Sequence, residues 1–240
     1  MRGRHSTTRS GADVRSAVLL DLYGTLVEPD WAALLKGRTA LAERLELDAA
    51  AMLRAWESTH AARMMGSYGS LADDLAAVIA TVSQGRPVSP GQLSKLADDE
   101  RENWRHGVRL HADALSALSL LRSSGLRLAI VTNASTEAAG VVDDLALRPR
   151  VDDVVASCEA GVLKPELLEV ALRRQGLEAS DATLVDDEPA QLDAASRLGI
   201  GTILVRRSGA DPSSAATHPV VSDLRQLAGL LLRTEPARRP

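Results

Sequence analysis

Side chains with chemistry to offer stand where apolar runs end. Asp21 closes the run Val18-Leu19-Leu20 and leads into Leu22-Tyr23-Gly24-Thr25-Leu26. Thr132 and Asn133 close the stretch 126–131, and Asp186 and Asp187 close 182–185. Lys164 stands just before Pro165 and a helical stretch. One acidic residue at a strand end can serve simply as a helix cap. Three such ends in one chain, with a lysine beside them, point instead to substitution at an electrophilic centre. A carboxylate at Asp21 can attack and form a covalent acyl-type intermediate. The Thr132 hydroxyl and nearby backbone amides can hold developing negative charge. Lys164 can neutralise that charge and orient Asp21. Asp186 and Asp187, taken with Asp21, are hard oxygen ligands suited to Mg²⁺.

These groups share a site only if their strands lie side by side. The run before Asp21 is short and apolar throughout, as in a strand buried on both faces. After His106 such runs alternate with helical patterns. Strands are expected at 126–131, 151–156, 182–185 and 200–205, and helices at 112–123, 137–145, 165–175, 189–198 and 224–232. Gly125, Gly176 and Gly199 stand as helix stops. Strands alternating with helices predict an α/β fold with a parallel sheet. In such a sheet the carboxyl ends of the strands line the ligand crevice. Between Trp31 and Trp104 the pattern is helical only, as in Leu41, Leu45, Met52, Leu53 and Trp56. That stretch reads as an all-helical insert.

Bulk properties remove several alternatives. The chain has 240 residues with a net charge of -4, so no global basic field invites nucleic acid or an anionic membrane. Aromatic residues make up 2%, which argues against base-stacking surfaces and leaves Leu, Val, Ile and Ala to fill the core. Cys158 is the one cysteine, which excludes an internal disulfide and fits a reducing compartment, the cytoplasm. No apolar run has the length of a membrane span. Residues 1–16 read as a disordered leader without the apolar core of a secretory signal, and 234–240 as a disordered tail.

Four segments together resemble the motifs of the haloacid dehalogenase superfamily, in that family's order. They are Asp21-Leu22-Tyr23-Gly24-Thr25-Leu26, then Ile130-Val131-Thr132-Asn133, then Gly161-Val162-Leu163-Lys164-Pro165-Glu166, and Leu184-Val185-Asp186-Asp187. The resemblance implies a Rossmann-like core over 17–28 and 107–233, with a helical cap at 29–106 closing over substrate. It further implies Asp21 as nucleophile and Thr132, Asn133 and Lys164 as its partners. Magnesium would be held by Asp21, the Tyr23 backbone carbonyl, Asp187 and Asp186. Gly24, Thr25 and Asn133 would contact a small phosphorylated or halogenated substrate.

Two departures shape the expected reaction. The family's phosphatases carry a second Asp two residues after the nucleophile, as general acid and base. Tyr23 stands there, and a phenol of pKa about 10 shuttles protons poorly at neutral pH. The Asp-x-Tyr form resembles the 2-haloacid dehalogenase branch, whose halide leaving group needs no proton. For that branch's halide-binding arginine, Arg54 and Arg63 are both candidates. The acidic pair Asp186-Asp187 instead resembles the magnesium-dependent phosphatases, although their further Asp is Gln191 here. A magnesium-dependent phosphatase is therefore the expectation. A metal-independent dehalogenase and a binding or regulatory protein of weakened catalysis are the alternatives.

Elsewhere the bland reading is preferred. Trp31, Trp56 and Trp104 are expected as buried anchors of the insert, and Met64 and Met65 as packing. Cys158 is expected as a small buried residue. Asp73-Asp74 and 98–102 are expected to be solvated helix faces. His60, His106 and His111 lack zinc-ligand spacing.

Overall fold

The computed structural model describes residues 16–207 and 217–232. The expected leader, Ser16 apart, and the expected tail lie outside the described residues.

The central run folds as expected. Strand β1 (Ala17–Leu20) leads to Asp21, and a tight turn leads on to β2 (Val27–Pro29). Five helices follow: α1 (Trp31–Arg44), α2 (Ala49–Ser58), α3 (His60–Met64), α4 (Leu71–Val82) and α5 (Pro90–Gly107). The chain returns through β3 (Val108–Leu110), then α6 (Ala114–Ser123), β4 (Arg127–Thr132), α7 (Ala138–Asp144), β5 (Asp153–Ala156), α8 (Ser157–Ala160) and α9 (Glu166–Gln175). It continues with β6 (Ala182–Asp186), α10 (Pro189–Arg197), β7 (Gly201–Val205), β8 (Val220–Val221) and α11 (Leu224–Leu232). The expected boundaries agree with these to within about two residues, as fraying ends allow.

The main sheet has six strands in the order β5-β4-β1-β6-β7-β8, and every pairing is parallel. This is the Rossmann-like α/β core. From β1 the chain builds outward through β4 and β5, then crosses to β6 on the other flank. Such a reversal opens a crevice at the carboxyl end of the first strand, and Asp21 stands there. Alternation explains why β1 is apolar throughout: Val18 and Leu20 enter one apolar cluster while Ala17 and Leu19 enter the other. A buried leucine contributes roughly 2 kcal/mol, so both faces hold the strand in register.

The insert is helical, and its helices carry an apolar cluster of their own, with Leu41, Met52, Trp56, Leu75, Ile79 and Leu96 inside it. Capping boxes start α4 at Ser70 and α5 at Ser89. One element escaped the periodicity reading. Strands β2 and β3 form a short antiparallel ladder pairing Val27 with Leu110 and Pro29 with Val108. At three residues each, they are too short to show alternation. The ladder gathers both connections of the insert at one place.

Four expectations are corrected, three of them about the insert. Trp31 is 55% exposed at the start of α1, while Trp56 and Trp104 are buried. Asp74 and Glu100 are buried too, each with a polar partner reached across a packed face: Thr136 for Asp74, Arg38 for Glu100. Met65 is exposed, and Cys158 is half-buried.

Candidate active site

Five of the expected side chains meet at the carboxyl ends of β1, β4 and β6. Lys164 Nζ donates to Asp21 Oδ1 at 2.6 Å and to Asp186 Oδ2 at 2.7 Å. All three are buried. Asp186 Oδ1 accepts the Glu188 backbone amide at 2.9 Å, so both its oxygens are engaged. Asn133 Oδ1 accepts the Lys164 amide at 2.9 Å, tying the lysine loop to the end of β4. Thr132 Oγ1 is buried beside them with no hydrogen-bond partner among the described residues.

Asp187 lies at the exposed edge of this group. Ligand oxygens of Asp21, Asp186 and Asp187 all lie within 4.8 Å of one another. The turn after β1 makes room for Asp187. Gly24 has φ +84°, and a Cβ there would collide with the Asp187 carboxylate. The turn itself is held by Gly24 N donating to Val27 O at 2.8 Å and by Val27 N donating to Leu22 O at 2.9 Å. Arg207 anchors it from outside: Nη2 donates to Thr25 O at 2.6 Å, and Nη1 bonds both Asp113 oxygens.

The electrostatics follow from burial and crowding. Desolvation pushes the Asp21 carboxyl up to about 7; Lys164 opposes this, while Asp186 and Asp187 reinforce it. Burial works against the Lys164 charge, yet Asp21 and Asp186 outweigh it and raise its pKa above the ordinary value. Asp187 is raised by desolvation and then by Asp186. Tyr23 is raised well above 10, by burial first and then by Glu137 and Asp21. Its hydroxyl is buried with no partner among the described residues, so it remains a phenol and a donor.

Over this floor the insert sets a wall. Arg63 of α3 is 3% exposed; it donates to Trp56 O at 2.8 Å and to Thr59 Oγ1 at 3.2 Å, and Nη1 reaches Ser135 Oγ at 3.5 Å. Arg54 does not reach the site. Its side chain is 74% exposed with Nη2 3.9 Å from Asp48 Oδ1, because Met52, Ala55 and Trp56 are the residues that α2 turns inward. Arg38 also lies in the wall and had not been singled out. It follows Leu34 by four residues and precedes Leu41 by three, so it falls on the buried stripe of α1. An arginine on an apolar stripe is the signal that would have found it. The wall is joined to the core at several points. Ser157 Oγ donates to Met64 O at 2.7 Å, and Thr136 Oγ1 donates to Asp74 Oδ2 at 2.7 Å. Gly66 packs so closely on the Cys158 carbonyl that a Cβ would collide with it.

A carboxylate beside a buried ammonium, an unpartnered hydroxyl and a further acidic pair can perform nucleophilic displacement. The family model for haloacid dehalogenase-like hydrolases matches residues 16–199, and the chain belongs to that hydrolase family. It is 28% identical over 198 residues to a phosphoglycolate phosphatase of Rhodospirillum rubrum, covering 79% of this chain and 78% of that protein. It is also 34% identical over 130 residues to mouse acyl-CoA dehydrogenase family member 10. That match spans 51% of this chain but 11% of the much longer mouse protein. Among solved structures, a 2-haloacid dehalogenase from Pseudomonas syringae superposes with a TM-score of 0.69 at 20% identity, covering 92% of this chain and 99% of that one. A HAD phosphatase from Thermococcus onnurineus gives 0.63 at 20% identity, covering 90% and 97%. At such identity these two show a shared fold.

Proposed function

We propose that the chain is a Mg²⁺-dependent phosphatase of a small phosphorylated metabolite, working in the cytoplasm, with Asp21 as its nucleophile. The observation that carries this reading is the convergence of the Asp21, Asp186 and Asp187 carboxylates within 4.8 Å of one another. One ammonium, on Lys164, stands against these three carboxylates. Crowded carboxylates short of countercharge are costly, and a divalent cation would supply it. Asp186 has both oxygens engaged by Lys164 and Glu188. Asp21, Asp187 and the Tyr23 carbonyl are therefore the groups that would bind the ion most directly, with Asp186 behind them. Bound there, Mg²⁺ would offset charge on the phosphoryl oxygens.

The protein's own groups divide the remaining work. Asp21 attacks phosphorus; the new P–O bond forms as the bond to the leaving oxygen breaks, giving an aspartyl phosphate. Lys164 keeps Asp21 oriented and offsets charge on the phosphoryl group. The Thr132 hydroxyl, without a partner among the described residues, donates to a phosphoryl oxygen. Asn133 fixes the Lys164 loop, and Gly24 and Thr25 bring backbone close to the same group. Tyr23 stays protonated, so the departing alkoxide takes its proton from water. Water then attacks phosphorus, and cleavage of the P–O bond to Asp21 releases phosphate and restores the carboxylate.

A second reading, a metal-independent haloacid dehalogenase, is favoured by Tyr23 at the position two residues after the nucleophile and by the buried guanidinium of Arg63. The two separate in one set of assays. Phosphate release from a metabolite panel is expected with Mg²⁺, abolished by EDTA and by Asp21→Asn. Chloride release from 2-chloropropionate that persists in EDTA would sink the phosphatase reading. No turnover of either kind, with Asp21→Asn keeping full cellular function, would favour a binding protein.

A further inference from the structure

The wall over Asp21 can be followed residue by residue as a closed circuit. Tyr23, two residues beyond Asp21, has its ring centroid 5.6 Å from that of Trp104. The Arg38 guanidinium carbon lies 5.7 Å from the Trp104 ring and 4.2 Å from the Trp56 ring. The Arg63 guanidinium carbon lies 4.7 Å from the same Trp56 ring. Arg63 reaches Ser135, three residues beyond Thr132, and the circuit returns to the core. In a chain with three Trp, two Tyr and no Phe, three of those rings are spent here.

The two guanidiniums are in different states. Arg63 has its donors on Trp56 O, Thr59 Oγ1 and Ser135 Oγ, and Glu137 lies close enough to act on its charge. Arg38 is 8% exposed and uses only Nε, toward Glu100 Oε1 at 3.2 Å. Glu100 has little left to give, since Trp104 Nε1 also donates to Oε1 and Asn103 Nδ2 to Oε2. Nη1 and Nη2 of Arg38 make no hydrogen bond among the described residues. The Tyr23 hydroxyl, in contact with the same Trp104 ring through its own, is likewise without a partner.

We propose that Arg38, with the Tyr23 hydroxyl beside it, is the receptor for a carboxylate at the non-reacting end of the substrate. The substrate is then a small phosphorylated carboxylic acid. This rests on the phosphatase reading of Asp21. A guanidinium with two free NH₂ groups presents the parallel fork that a carboxylate matches. Its position over Trp56 removes water from the bond, which strengthens it. Two acidic groups face the same space, Glu137 and Asp74. Burial pushes both carboxyls up toward their neutral forms, and the Arg63 charge acts on both as local countercharge.

The test compares acids with neutral counterparts of the same length: phosphoglycolate against 2-hydroxyethyl phosphate, and 3-phosphoglycerate against glycerol 1-phosphate. In the parent protein, kcat/KM should favour the acid of at least one pair by on the order of 100-fold. In Arg38→Met that ratio should fall to about one, and in Arg38→Lys, which keeps the charge without the fork, it should lie between. The ratio is blind to loss of folded protein, which lowers both rates together. A parent ratio near one for both pairs, or a ratio retained in both variants, overturns the proposal. Turnover of p-nitrophenyl phosphate, which has no carboxylate, reports on the phosphatase reading separately. Should that substrate also be inert, binding of the same pairs followed by tryptophan fluorescence decides the matter. Tighter binding of the acid, lost in Arg38→Met, sustains the receptor, and equal binding overturns it.

Discussion

The carboxylate of Asp187 occupies the space into which a side chain on Gly24 would have to point. The turn after Asp21 is thus shaped around an acidic group that belongs to a different strand end. Gly24→Ala would face both a φ of +84° and this collision. A stability loss of about 1–2 kcal/mol is expected, with Mg²⁺ affinity falling roughly tenfold as Asp187 is displaced. Calorimetric Mg²⁺ titration and thermal melts check both numbers. Unchanged affinity would show that Asp187 takes no part in holding the ion.

Lys164 is the one ammonium between two buried carboxylates. Lys164→Met leaves Asp21 and Asp186 unpaired, which costs about 3–5 kcal/mol in comparable settings. The variant should therefore melt well below the parent at pH 8. The gap should narrow at pH 5, where the Asp21 carboxyl, standing at about 7 even with Lys164 present, takes up a proton. A gap that stays the same at both pH values would argue against the pairing as its cause.

Asp21 gives a pH dependence with a definite sign. Its folded pKa is raised from 3.8 to about 7, so the fold disfavours the charged form. The stability linked to it is fully present below the ordinary carboxylate range and is lost as pH rises through about 7. Asp21→Asn removes this titration. In EDTA the variant should gain on the parent between pH 5 and pH 8, ending more stable by on the order of 1–2 kcal/mol. Paired denaturant melts measure the difference. Parallel curves would contradict the raised pKa.

The contact between Thr136 and Asp74 joins the helical insert to the core beside the site. Thr136→Val removes the side-chain donor of a buried carboxylate whose other oxygen, Oδ1, has no hydrogen-bond partner among the described residues. The expected cost is about 1–3 kcal/mol, borne by closure of the insert. KM should rise several-fold while kcat changes less, and amide exchange in α3 and α4 should quicken. Kinetics and exchange that match the parent would mean that this contact does not hold the insert shut.

Arg54→Ala should be silent. The side chain is 74% exposed and among the described residues pairs only with Asp48 at 3.9 Å, an exposed interaction of little consequence. A loss of activity greater than about threefold would show that the insert rearranges in solution.

The floor of the site was legible because strand ends are local events. An apolar run that stops at a polar residue marks the place, as at Asp21, Thr132, Asn133 and Asp186, and Lys164, just before a helix, joins them. The wall was not legible in the same way. Which face of a helix meets the core depends on how the insert packs, and packing joins residues far apart in the chain. Arg54 and Arg63 were equivalent in sequence, yet one points to solvent and the other is buried against Trp56. Glu100 and Asp74 looked like solvated charges because their partners, Arg38 and Thr136, lie 62 positions away in each case. Arg38, Asp74 and Glu100 did each carry a local mark, a place on the apolar stripe of α1, α4 and α5.

The pairing of Val27 with Leu110 and Pro29 with Val108 has an architectural consequence. It places the first and last residues of the helical insert side by side, a hairpin's width apart. The core therefore sees the whole insert as though it were one long loop. An insert of different length or sequence could be grafted onto the same two strands without shifting the register of the sheet. On the proposed reading, the part that would meet the variable end of a substrate is thereby exchangeable, while the part that would break the bond stays fixed.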